Sequence, residues 1–134
     1  MKLQRLGPDD GAVIVEFALI FPILILLVAG VIQFGIMYSQ YQVLQGAARE
    51  GARCASVQAT DFGDCDVETK IEDAALGYTL SQTPTQNRDC TDATRGQDVT
   101  VSWEQQLDTG VLGTLVPPLP DAITTNISGT FRCE

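Results

Sequence analysis

The chain has no histidine. It therefore lacks the commonest general base of enzyme catalysis and the commonest metal ligand. Its carboxylates are scattered, with no paired-acid pattern, and it has neither a Walker motif nor a phosphate-cradling glycine loop. The expectation is a protein that is not an enzyme and holds no cofactor. Cations are also scarce, 8 Lys and Arg against 17 Asp and Glu, for a net charge of −9. Most of that charge lies after residue 38, where six cations face fourteen acids. Nucleic-acid binding needs a basic footprint and is not expected; the acidity reads as a device for solubility. Cysteine is absent before Cys54, and the four present form no CxxC pair, so a zinc site is not expected either.

Charge and polarity are missing altogether from Phe17–Ile32. A polar leader, residues 1–11, ends at Gly11, with Pro8, Asp9, Asp10 and Gly11 expected to form an exposed turn. Residues 12–38 read as one transmembrane helix. At ~1.5 Å per residue they reach about 40 Å, enough to cross a hydrocarbon core of ~30 Å. The run is longer than the ~7–15 apolar residues of a secretory signal, and no A-x-A site closes it. Pro22 inside it is expected to loosen or kink the helix, and Tyr38 and Tyr41 suit an interfacial belt. Glu16 is the single carboxylate within this run. A charge inside a membrane helix is costly and usually functional.

Residues 39–56 are expected to extend the helix beyond the membrane. Val43, Ala47, Gly51 and Cys54 recur there at helical spacing and give a face of small or apolar residues. Residues 57–134 read as a small α+β domain. After a loop at 57–66, the pattern predicts a short helix over Val67–Tyr78, N-capped by Asp66, with Val67, Ile71, Ala74 and Ala75 inward. Residues 79–97 are polar and turn-rich. Asp98–Glu104 alternates with Val99, Val101 and Trp103 on one face, and Ile123–Cys133 with Ile123, Thr125, Ile127 and Phe131. The glycines and prolines of 105–122 read as a rigid loop. Two antiparallel strands are expected, with room for a third near Gly110–Val116.

Four cysteines confined to one side of the anchor suggest disulfides in an oxidising space. That distribution orients the chain with its N-terminus in the cytoplasm and its domain outside. Four cysteines allow three pairings, and sequence alone does not choose; Cys54–Cys65 with Cys90–Cys133 is the working expectation.

Three blocks carry a family resemblance: Gly11-Ala12 followed by Val15-Glu16-Phe17-Ala18-Leu19; Pro22 with its leucine-rich run; and Ala47-Ala48-Arg49-Glu50-Gly51-Ala52-Arg53. Together they resemble the TadE-like family of tight-adherence (Tad) pilus proteins, whose N-termini are similar to those of type IV prepilins. The resemblance implies a minor pilin or pseudopilin in the bacterial cytoplasmic membrane. It would be cut by a prepilin peptidase between Gly11 and Ala12 and would assemble with other pilin subunits and the Tad machinery. The alternative is an uncleaved, membrane-anchored assembly factor or binding module. Glu16, Phe17 and Pro22 are then the candidates for subunit assembly. Glu16 would pair with the ammonium exposed at Ala12; the plainer reading is that it snorkels to water. Arg49, Glu50 and Arg53 would bridge subunits or simply form a solvated helix face. The leader is less basic than such proteins usually carry, and Gln33 stands where an acidic residue is common.

Overall fold

The computed structural model describes residues 8–57 and 65–134. Helix α1 runs from Pro8 to Ser56 as one rod of 49 residues, roughly 70 Å long at ~1.5 Å per residue. It begins earlier than Ala12. The stretch Pro8–Gly11, expected as a turn, forms the start of the helix. Proline at a first helical position lacks only an N–H that would be unpaired anyway. The helix also continues through Pro22. Residues 1–7 of the expected leader, and 58–64 of the expected loop, lie outside the described residues.

Helix α2 spans Val67–Ala74. Asp66 caps it as expected: its carboxylate accepts from the Glu68 N–H at 3.1 Å and from the Thr69 hydroxyl at 2.6 Å. The helix stops short of Tyr78 because Leu76 and Gly77 adopt φ of 53° and 87°, left-handed values that a right-handed helix cannot contain. Ile71 and Ala75 are buried, and Val67 and Ala74 half-buried, so the inner face is the one read from periodicity.

A three-stranded antiparallel sheet follows, in the order β1 (Thr85–Gln86), β2 (Asp98–Asp108), β3 (Ala122–Arg132). β2 outruns the expected Glu104, because Gln105 and Leu107 extend the buried alternation of Val99, Val101 and Trp103. Pairing with β3 runs in register from Asp98↔Arg132 to Asp108↔Ala122. The third strand is not at Gly110–Val116. That segment holds a short helix, α3 (Val111–Leu115), within the connection between β2 and β3. The third strand is β1, pairing Thr85 with Ser102 and Gln86 with Val101 on the free edge of β2. Pro117, Pro118 and Pro120 have no N–H for a sheet ladder, which suits their segment to a connection.

The sheet and α2 pack on the upper part of α1. Leu44, Ala47, Ala48, Ala52 and Ala55 of the shaft join Ile71, Val99, Val101, Trp103 and Ile127 in one core. Ile123 and Phe131, expected inward with Ile127, keep about two-fifths of their surface exposed (43% and 40%). Cys54 bonds Cys65 and Cys90 bonds Cys133, with Cα atoms 5.7 and 5.4 Å apart. The C-terminal backbone closes on the end of the shaft, where the Glu134 N–H donates to the Ser56 carbonyl at 3.1 Å. The disulfides therefore gather at the end of α1 farthest from its apolar half.

Candidate functional site

The lower half of α1 is a rod that, among the described residues, only the β2–β3 connection touches, near Leu26–Phe34. Large apolar side chains from Val13 to Tyr38 stand exposed, Leu19 at 71% and Phe34 at 67%. Such surface in water would carry a large hydrophobic cost, and its length and composition suit a bilayer crossing. Phe17 stacks on Phe21 with ring centroids 5.3 Å apart, and Phe34 on Tyr38 at 6.3 Å. Tyr38 is exposed, as an interfacial residue would be. Tyr41 instead packs against the core, and its hydroxyl accepts from the Gln45 amide at 3.1 Å.

Glu16 sits on this rod one helical turn beyond Ala12, so the two share a face about 6 Å apart along the axis. Among the described residues Glu16 has no hydrogen-bond or ion-pair partner. It is the sole charge between Gly11 and Tyr38. Gly11 and Ala12 are exposed and helical. Open space surrounds Gly11 where a side chain would project.

The block from Ala47 to Arg53 divides into two faces. Ala47, Ala48, Gly51 and Ala52 are buried, while Arg49, Glu50 and Arg53 are exposed and form no ion pair among the described residues. The small residues bring the domain close. A Cβ at Gly51 would come within 2.6 Å of Ile71 Cδ1 on α2. On β3, a Cβ at Gly129 would overlap the Ala48 carbonyl and lie 2.7 Å from the Arg49 nitrogen. This half of the block is the seat of the chain's own domain.

Residues 11–53 match the family of TadE-like proteins. The TadE-like segment runs from the first exposed turn of the rod to the residue before the first disulfide cysteine. It thus holds the whole apolar rod and the domain seat, and none of the sheet. No curated protein and no solved structure matches the chain.

Some relationships were not legible in residue patterns. Gln33, which stands where an acidic residue is common in the resembled family, donates its amide N–H to the Asp108 carbonyl at 3.3 Å and joins the rod to the end of β2. Gly129 had a signal, since an isolated glycine within a strand often marks a close backbone approach. Leu112, Val116 and Leu119 line a groove with Leu26, Val31 and Phe34 of the rod. The signal there was the lack of any charge between Asp108 and Asp121.

Proposed function

We propose that the chain is a minor pilin or pseudopilin of Tad pilus assembly, anchored in the bacterial cytoplasmic membrane with its domain outside. A prepilin peptidase cuts it between Gly11 and Ala12, and the freed helix packs against other pilin subunits. The reading assigns the chain a structural role and no catalysis. The observation that carries it is Glu16: one carboxylate without a partner among the described residues, on the exposed apolar rod within the TadE-like segment. In low dielectric an unpaired charge costs several kcal/mol. The ammonium at Ala12, from the same chain or a neighbour, would neutralise it and favour one register between subunits.

The helical state of Gly11–Ala12 favours a second reading, an uncleaved anchored assembly factor or binding module. Proteolysis needs extended backbone, so cutting here requires the first turns of α1 to fray. Gly11 lowers the cost of that fraying. The deciding experiment is the intact mass and N-terminal sequence of the protein from cells with and without the prepilin peptidase. A start at Ala12 that depends on the peptidase is the expected result. An uncut Met1 start in both would replace the pilin reading with the anchored factor.

A further inference from the structure

The connection between β2 and β3 lies beside the membrane rod. Residues 109–120 carry no charge, in a domain that is otherwise acidic. Both ends are tied: the Thr109 N–H donates to the Asp121 carbonyl at 2.9 Å, and the Thr109 hydroxyl to the Pro120 carbonyl at 2.6 Å. The loop hangs from the end of the β2–β3 hairpin and sets Leu112, Val116 and Leu119 against Leu26, Val31 and Phe34, a groove with an entirely apolar lining. The Gln33 amide, bonded to the Asp108 carbonyl, holds it at this level.

That level can be converted to membrane depth. A hydrocarbon core of ~30 Å takes about 20 helical residues. Counted from Ala12 the core ends near Val31; counted from Phe17 it ends near Ile36. Either register puts the stretch from Leu27 to Val31 in the half of the bilayer nearer the domain. The loop packed on that stretch lies at the same depth. Its backbone suits the place. Pro117, Pro118 and Pro120 have no N–H to satisfy, and the Val116 and Leu119 N–H groups donate to the Leu112 and Val116 carbonyls at 3.0 and 2.8 Å. The N–H groups of 111–113 open α3 without a side-chain cap and are the donors left for the headgroup level. Leu119 keeps 41% of its surface exposed.

We propose that the 109–120 loop rests in the domain-side leaflet as a second membrane contact, with lipid acyl chains as its partner. Asp108, held at the level of Gln33, and Asp121 then mark the water boundary, which selects the register whose core ends near Val31, and the loop fixes the height and tilt of the domain above the bilayer. The inference rests on α1 crossing a bilayer and is independent of cleavage and of entry into a filament.

The test uses the full chain in nanodiscs at one copy per disc. All four native cysteines are in disulfides, so Leu119→Cys gives a single thiol for an environment-sensitive fluorophore. Asp73→Cys on exposed α2 and Leu24→Cys in the rod serve as references. The expected result is quenching at position 119 by doxyl lipids, with several-fold protection from aqueous iodide, as at position 24; position 73 shows the reverse. A label at 119 that behaves like the one at 73, while 24 is lipid-quenched, overturns the proposal and leaves the anchor intact. Iodide access at 24 overturns the anchor and the proposal together. Protection at 119 that arises only when several copies share a disc assigns the groove to a second copy and also overturns it.

Discussion

Gly129 of β3 lies so close to Ala48 of α1 that any Cβ at position 129 would overlap the Ala48 carbonyl. Strand and shaft touch backbone to backbone. The alanines on one side and the glycine on the other are what permit it. Gly51 likewise makes room on the shaft for the Ile71 side chain of α2, so the domain is seated at two points where the glycines carry no side chain.

Gly129→Val should therefore loosen the sheet from the shaft. Overpacking of this kind costs typically ~1–3 kcal/mol, and here the obstacle is backbone, which yields less readily than a side chain. Trp103 is the chain's one tryptophan and is buried, so its fluorescence reports the loss as a lower denaturant midpoint. An unchanged midpoint would mean that the strand can shift away at no cost.

Gln105 is a buried polar residue with a full set of partners. Its Oε1 accepts from the Trp103 indole N–H and the Ser81 N–H, both at 3.1 Å, while its Nε2 donates to the Thr79 and Gln106 carbonyls, both at 3.2 Å. Gln105→Leu keeps the volume roughly similar and strands those groups. Each buried polar group left unpaired costs ~1–3 kcal/mol. The expected outcome is a destabilised domain with a shifted Trp103 emission. Equal stability would show that water reaches the stranded partners.

The disulfides close loops of different length, with sequence separations of 11 for Cys54–Cys65 and 43 for Cys90–Cys133. In the chain-entropy account the longer loop contributes more, by about 1.2 kcal/mol, within a total of ~2–4 kcal/mol per bridge. Removing Cys90–Cys133 by paired serine substitution should lower the melting temperature further than removing Cys54–Cys65. The reverse order would point to interactions of the Cys54–Cys65 segment beyond loop closure.

Asp66 has its carboxyl pKa lowered, chiefly by the hydrogen bond from the Thr69 hydroxyl, with the Thr69 and Glu68 backbone N–H groups adding to it. A folded pKa below the unfolded one means that the carboxylate stabilises the fold at pH above the ordinary aspartate value near 4. That contribution fades as the pH falls through the lowered folded pKa. Asp66→Asn should thus narrow the stability difference between pH 7 and pH 3 relative to the parent chain. Thermal melts at the two pH values measure it, and an identical difference in both proteins would refute the assignment.

Glu16→Ala should leave the domain folded, since the residue touches none of it, and should abolish entry into sheared filaments. Filament fractions probed for the variant beside the parent chain provide the check. Normal incorporation would remove Glu16 from the assembly mechanism.

Local pattern alone determined much of this protein. The apolar run, the cap at Asp66, the inward face of α2 and the alternation of Val99, Val101 and Trp103 are properties of neighbours in sequence. Helical and strand periodicity convert them directly into structure. Tertiary structure decided what no local rule contains. The third strand is Thr85–Gln86 because β2 had one free edge, and the segment at Gly110–Val116 became a connection holding the short helix α3 because β2 and β3 were already paired to their ends. The small residues of the Ala47–Arg53 block look alike as a subunit interface or as a domain seat; only the arrival of Ile71 and Gly129 against them decided for the seat. The charge-free loop at 109–120 acquired its place beside Leu26–Phe34 in the same way. Periodicity says which face of an element is apolar, but what covers that face depends on how distant segments share the limited surface of one helix.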